Sequence, residues 1–264
     1  MKSTATLEGV KKAIFFPFTG EKWGTKLLIG SAITLVIYLP VAGIAAAITL
    51  AGYFGQIMKR TIVAEEDPQL PEWKDWGMLF LDGIRIAGAS LLYLLPGILF
   101  MIGGYVLVMV LDLALAYSGT SMNTYSSVFP VTFVGNMAGM FGGFGLVWFG
   151  LLLLLVGSIF LPPALGNLIA KDKFEAAFRI KDWWPVFKAN LGGYLLAITL
   201  LMGLYMLMIV ASSTLYITVI LCILLPFAFC IGLFLLGTVT FSLFAVSYRD
   251  GERKITRRGI EPAG

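Results

Sequence analysis

The chain has 264 residues, 59% of them hydrophobic and only 13% charged, with a formal net charge of +4. Soluble domains carry about 25% charged residues, so this composition excludes a water-soluble globular protein. It also holds no histidine, which removes the commonest general base and metal ligand.

In chain order, residues 1–25 carry Lys2, Lys11, Lys12 and Lys22 around the short apolar patch Ala13-Ile-Phe-Phe-Pro-Phe18. The patch is too brief to span. Lysines beside aromatics suit the headgroup layer, so an interfacial N-terminal segment is expected; no cleavable signal peptide is. Apolar runs follow at 26–58, 84–117, 137–169, 193–211 and 215–247. A crossing helix needs about 20 mostly apolar residues, and these runs are apolar on all faces. A β-barrel would instead alternate apolar and polar residues over strands of about 10 residues. Inside the first run, Pro40 and Gly43 predict a break into helices near 23–39 and 41–58, each reaching roughly 25 Å at about 1.5 Å per residue. Gly43, Ala47, Ala51 and Gly55 then form a small-residue stripe, and Gly139 with Gly143 repeats the pattern; both suit close helix packing. Cys222 and Cys230 read as small buried hydrophobes.

All 19 Lys and Arg fall in four groups: residues 2–26, 59–85, 171–188 and 249–258. The Ser/Thr-rich link 118–136 and the link around Ser212-Ser213-Thr214 have none. Positive charge stays on the cytoplasmic side, which puts both termini in the cytoplasm of a cell-membrane protein. The expected fold is all-α, a polytopic transmembrane helical bundle of six helices with short interfacial amphipathic segments. Five helices, with one kinked first helix, is the alternative. The expected organisation is one bundle domain over 26–248 and a basic cytoplasmic tail over 249–264.

Two stretches interrupt the apolar pattern: EWKDWGMLF at 72–80 and IKDWWPVF at 180–187. Lys-Asp-Trp, then three residues and Phe, occurs in both, 107 positions apart (181 against 74). Each follows a Gly-amide-aliphatic triplet, Gly55-Gln56-Ile57 or Gly166-Asn167-Leu168. A parallel internal repeat, 41–117 and 146–211, is one reading. Convergence is the other, because Trp flanked by Lys is common at interfaces. Trp73, Trp76 and Phe80, and Trp183, Trp184 and Phe187, are the candidate interfacial anchors.

The first elbow, Gly52-Tyr53…Arg60, Glu65-Glu66-Asp67, Leu70-Pro71-Glu72-Trp73…Asp75-Trp76-Gly77…Phe80…Asp82-Gly83, resembles the domain of unknown function family 4013, prokaryotic polytopic membrane proteins. Ala177, Phe178, Phe187, Asn190, Gly192 and Tyr194 look like its second half, and Phe244…Tyr248-Arg249 like its aromatic end. The resemblance implies a multi-helix membrane protein and supplies no catalytic residues.

No phosphate-binding loop, dinucleotide fingerprint or metal-spaced Cys cluster is present in the sequence. No enzyme activity, cofactor, metal or nucleic-acid partner is expected. The favoured reading is a non-catalytic membrane module that organises lipid or a protein partner at the cytoplasmic surface. The alternative is a transporter or lipid-handling protein using helices broken at Pro40, Pro96, Pro162-Pro163 and Pro226. Asp112, the ionisable residue deepest in an apolar run, would then be a pathway candidate; Gln56 and Asn167 are further intramembrane polar candidates. Oligomeric state is open at this level.

Overall fold

The computed structural model describes residues 11–118, 125–217 and 224–259. Residues 1–10 of the N-terminal segment, Cys222, part of the 118–136 link and the last five residues lie outside them. The chain is all-helical, and no strand occurs among the described residues. Its principal helices are α1 (Trp23–Val36), α2 (Ala42–Ile62), α3 (Trp76–Ser118), α4 (Tyr125–Lys171), α5 (Ile180–Ala189), α6 (Leu191–Ile217) and α7 (Leu225–Arg258), with 3-10 turns at Phe16–Phe18 and Phe174–Phe178.

Among the described residues, four helices are long and apolar enough to cross a membrane: Trp76–Ala114, Met137–Lys171, Leu191–Thr214 and Leu225–Arg257. With its exposed Leu99, Met109, Phe141, Trp148 and Leu152, the chain is a multi-pass membrane protein; in lipid, such side chains face solvent of their own polarity. The break expected near Pro40 is present. The Gly43 N–H donates to Leu39 O at 2.8 Å, and a Cβ on Gly43 would fall 2.2 Å from Ile37 O. The turn therefore requires glycine there. Pro96, Pro162 and Pro163 lie within α3 and α4 and do not end them, and Pro226 sits in the first turn of α7. Of the proline positions expected to break helices, only Pro40 lies between two of them. Membrane helices tolerate proline where neighbouring groups satisfy the freed carbonyl.

The chain divides into two compact units, residues 1–89 with 162–264, and residues 90–161. In the first, α7 is the central element and packs against α1, α2, α5 and α6. Its Phe234 joins Phe16, Leu50, Tyr53 and Leu79 in one core cluster. Its Val239, Leu243 and Val246 join Ala13 and Ala197 in another. The N-terminal segment is thus partly docked: Ala13 and Phe16 are buried, while Phe15 and Phe18 stay exposed.

Glycine decides how closely α2 meets the start of α3. A Cβ on Gly52 would lie 1.8 Å from Leu79 O, and one on Gly83 would lie 1.9 Å from Ile48 O. Two backbones therefore touch at two facing glycines, and Gly55 adds a contact with the Ile86 side chain. Within the expected stripe, Gly43 and Gly55 are buried, Ala51 is half-buried and Ala47 is exposed.

The second unit is an antiparallel helical hairpin, residues 90–118 against 125–161. Gly97 faces Gly150, and Gly104 faces Gly143; an added Cβ would meet the partner's backbone oxygen at 2.6–3.0 Å in each case. Glycines 97 and 104, and 143 and 150, are a heptad apart. That spacing keeps one seam facing a partner helix. Gly139 takes the Leu111 side chain.

Gly83→Ala is expected to destabilise the protein in detergent by about 1–3 kcal/mol through overpacking. Gly103→Ala, where a Cβ meets open space, should be neutral or gain up to about 1 kcal/mol of helix propensity. Thermal unfolding followed by circular dichroism separates the two signs.

Candidate functional site

The polar features of the first unit gather at one end, where α7 runs on past its apolar stretch. The sequence Ala245-Val-Ser-Tyr-Arg-Asp-Gly-Glu-Arg-Lys-Ile-Thr-Arg-Arg258 stays helical to its end. The basic stretch is therefore the last part of a packed helix. Tyr248, Glu252 and Ile255 recur at helical spacing and line one face. A Cβ on Gly251 would lie 2.6 Å from Val186 O, so glycine lets α5 come close here.

This end forms an open cavity of about 560 Å³. Ile62 closes it from α2 and Glu65 from the elbow after it. Asn167 and Lys171 contribute from the end of α4, and Asp182 and Val186 from α5. The fourth wall is α7, from Tyr248 to Arg257.

The cavity walls are tied by directional bonds. Asn167 is 1% exposed. Its Nδ2 donates to Ala176 O at 2.8 Å, and its Oδ1 accepts from the Tyr248 hydroxyl at 3.2 Å. Buried polar groups need such partners. Lys171 pairs with Asp182 at 2.5 Å, and the Asp182 side chain is only 16% exposed. Arg253 pairs with Glu65 at 2.5 Å. Arg249 Nη1 donates to Glu66 O at 3.1 Å and, at 3.4 Å, toward Thr61 O. Lys254 Nζ donates to Asn190 Oδ1 at 2.5 Å, while Asn190 Nδ2 donates to Ser247 O at 2.8 Å.

The two Trp elbows are fixed by backbone carbonyls as acceptors. In the first, Trp73 Nε1 donates to Lys26 O at 3.0 Å. Lys26 Nζ donates to Leu70 O at 2.8 Å, and the Tyr53 hydroxyl to Pro71 O at 3.1 Å. The Tyr53 and Trp73 rings stack at 3.9 Å, and Trp73 and Trp76 at 5.6 Å. Trp73 precedes α3, which begins at Trp76. Trp76 is 51% exposed and Phe80 half-buried. In the second elbow Trp183 is 2% exposed and its Nε1 donates to Ala177 O at 3.0 Å. Trp184 stays half-buried beneath the Lys188 ammonium, 5.0 Å from its ring centre, a cation–π geometry. Phe187 is buried against Tyr194.

Three acidic residues turn these elbows in the left-handed region: Glu65 (φ 56), Asp75 (φ 53) and Asp172 (φ 50). That conformation is sparsely populated outside glycine, and it clusters at functional sites. Asp172 also accepts from Arg85 at 3.2 Å and lies 3.6 Å from Lys59. On the outer side of the first elbow, the Glu72 carboxyl is held below the usual carboxylate range by the hydrogen bond and charge of Lys74.

Of the sequence candidates, Asn167 lines the cavity and Gln56 is half-buried near the end of α2. Asp112 is exposed and belongs to the second unit. The site also depends on residues not among the sequence candidates for it: Lys26 and Arg253, and Tyr53, Asn190, Tyr248 and Arg249, which the sequence marked only as parts of the family-like motifs. Helical spacing of Tyr248, Glu252 and Ile255 in the basic stretch was the available signal for part of this set.

The family described as a protein of unknown function (DUF4013) matches residues 35–217. No curated protein and no solved structure matches the chain.

Asn167→Leu should remove the partners of Ala176 O and the Tyr248 hydroxyl, at about 2–3 kcal/mol; Tyr248→Phe, which removes one donor, should cost about 1 kcal/mol. Denaturant titration in mixed micelles checks the order.

Proposed function

The chain belongs to the DUF4013 family of proteins of unknown function, and from that premise we propose that it is a six-helix protein of the cell membrane that holds lipid headgroups at its cytoplasmic face without catalysing a reaction. On this reading α1 and α2 are the two shortest crossings. At about 1.5 Å per residue, α1 would reach roughly 21 Å and α2 roughly 32 Å, and local bilayer thinning accommodates a short span. Both termini and both elbows are then cytoplasmic, as their Lys and Arg residues favour.

The observation that carries the proposal is the cavity at the basic end of α7, walled by both elbow regions and by ionisable side chains. On this topology it would lie at the level of the headgroups. Basic residues near an anionic leaflet are each worth about 1 kcal/mol, and exposed Trp76, half-buried Trp184 and Lys188 suit the same layer. The fully buried polar side chains among the described residues, such as Thr61, Thr238 and Ser242, are hydroxyls and amides without formal charge. That favours a surface role over a charged transmembrane pathway.

Polymer extraction of the protein with its surrounding lipid tests this. Lipids retained with it should be enriched in anionic species several-fold over the bulk membrane. Bulk composition would count against the proposal. A cysteine at Thr256 should react with an impermeant thiol reagent only from the cytoplasmic side; labelling from outside would reverse the topology.

A further inference from the structure

The geometry points to a specific ligand for the cavity at the end of α7: an anionic phosphate group that also carries a hydroxyl, as in a glycerol-phosphate headgroup. This deepens the headgroup-holding proposal and rests on it.

Charge accounting within the cavity gives the sign. Glu65 is matched by Arg253, and Asp182 by Lys171, each at 2.5 Å. What remains on the lining is Arg249 and Arg257 against Glu252. Neither of these arginines forms an ion pair with a carboxylate among the described residues. The excess is therefore cationic, and an anion is the ligand that complements it.

Hydrogen-bonding capacity gives the chemistry. Arg249 spends Nη1 on the carbonyls of Thr61 and Glu66. Its Nε is sealed inside the fold without an acceptor among the described residues, so only the guanidinium edge that lines the cavity is offered to a ligand. A guanidinium has five N–H donors and no acceptor, so only an acceptor-rich group can satisfy it. Phosphate oxygens do so through charge-assisted bonds, and arginine is suited to them geometrically. Arg257 is exposed at the rim and can reach a second oxygen of the same group. Glu252, already hydrogen-bonded with the Tyr248 hydroxyl, would repel a bare phosphate, yet its remaining acceptor capacity fits a hydroxyl of the ligand. Phosphate on the arginines and hydroxyl on Glu252 use all three groups. A cavity of about 560 Å³ lies in the range of small-ligand sites.

The protein in nanodiscs of phosphatidylcholine, with phosphatidylglycerol added in increments and retained lipid counted by native mass spectrometry, tests the assignment. The chain should retain about one phosphatidylglycerol in preference to phosphatidylcholine. Arg257→Gln, which breaks no bond among the described residues, should weaken that retention at least about tenfold, the size expected for one charge-assisted hydrogen bond. Arg179→Gln, paired with Glu175 at 2.7 Å away from the cavity, should leave it unchanged. Glycerol 3-phosphate in the same titration identifies the source. Displacement of the lipid at comparable concentration would assign the site to a soluble phosphate with the same chemistry. Failure to displace it would assign the lipid headgroup. If Arg257→Gln acts no more strongly than Arg179→Gln, the cavity assignment is overturned. General anionic enrichment around the protein can survive that result, so the two proposals fail separately.

Discussion

Helices in lipid gain little by burying apolar faces against one another, because the surrounding acyl chains are as apolar as leucine. What holds this protein together must therefore be close backbone approach where the chain is apolar and directional polar bonds where it is not. The structure separates the two devices in space. Gly52 and Gly83 bring α2 and α3 into backbone contact, and the heptad-spaced glycines of the second unit do the same within their hairpin. At the end of α7, arginine, lysine and asparagine side chains take over.

That second device has a consequence for function. Loop carbonyls and helix-end carbonyls need donors. Here many donors are side chains from distant parts of the chain: Lys26 to Leu70, Trp73 to Lys26, Tyr53 to Pro71, Arg249 to Glu66. The elbows are thus held as walls. Two left-handed acidic residues of that first elbow, Glu65 and Asp75, are tolerated because these ties over-determine the path. On the proposed reading, walls held in this way would limit the ordering that anion binding must impose.

Much of this was legible in the sequence, for reasons of physics rather than resemblance alone. Composition established the membrane class. Pro40 and Gly43 marked the first break because one lacks a donor and the other allows a close turn. The clustered lysines and arginines marked the end where the site lies. The elbows were visible as Lys-Asp-Trp stretches, but the burial of each tryptophan was not. Trp76 and Trp183 occupy equivalent places in that pattern, yet one is 51% exposed and the other 2%. Side-chain burial depends on what packs above a residue, and a local motif does not encode that. The same limit applies to glycine: a four-residue stripe names a face of α2, but Gly52, outside that stripe, makes the closest contact. The basic stretch from 249 was read by its charge as a tail. Its apolar and aromatic residues at helical spacing, Tyr248 and Ile255, hold it against the bundle.

The central claim is that the basic end of α7 clamps the elbow over residues 63–75 into a wall of the site. Hydrogen exchange of that elbow in Arg249→Gln, compared with the unchanged protein in the same nanodiscs, tests it directly. A charge-assisted bond of about 1.5–3 kcal/mol to an elbow carbonyl predicts exchange at least about tenfold faster there, since local opening sets the rate. The Gly52–Gly83 crossing should keep its protection. Unchanged exchange in the elbow would contradict the clamp, and uniform acceleration through α2 and α3 would show that Arg249 supports the whole bundle instead.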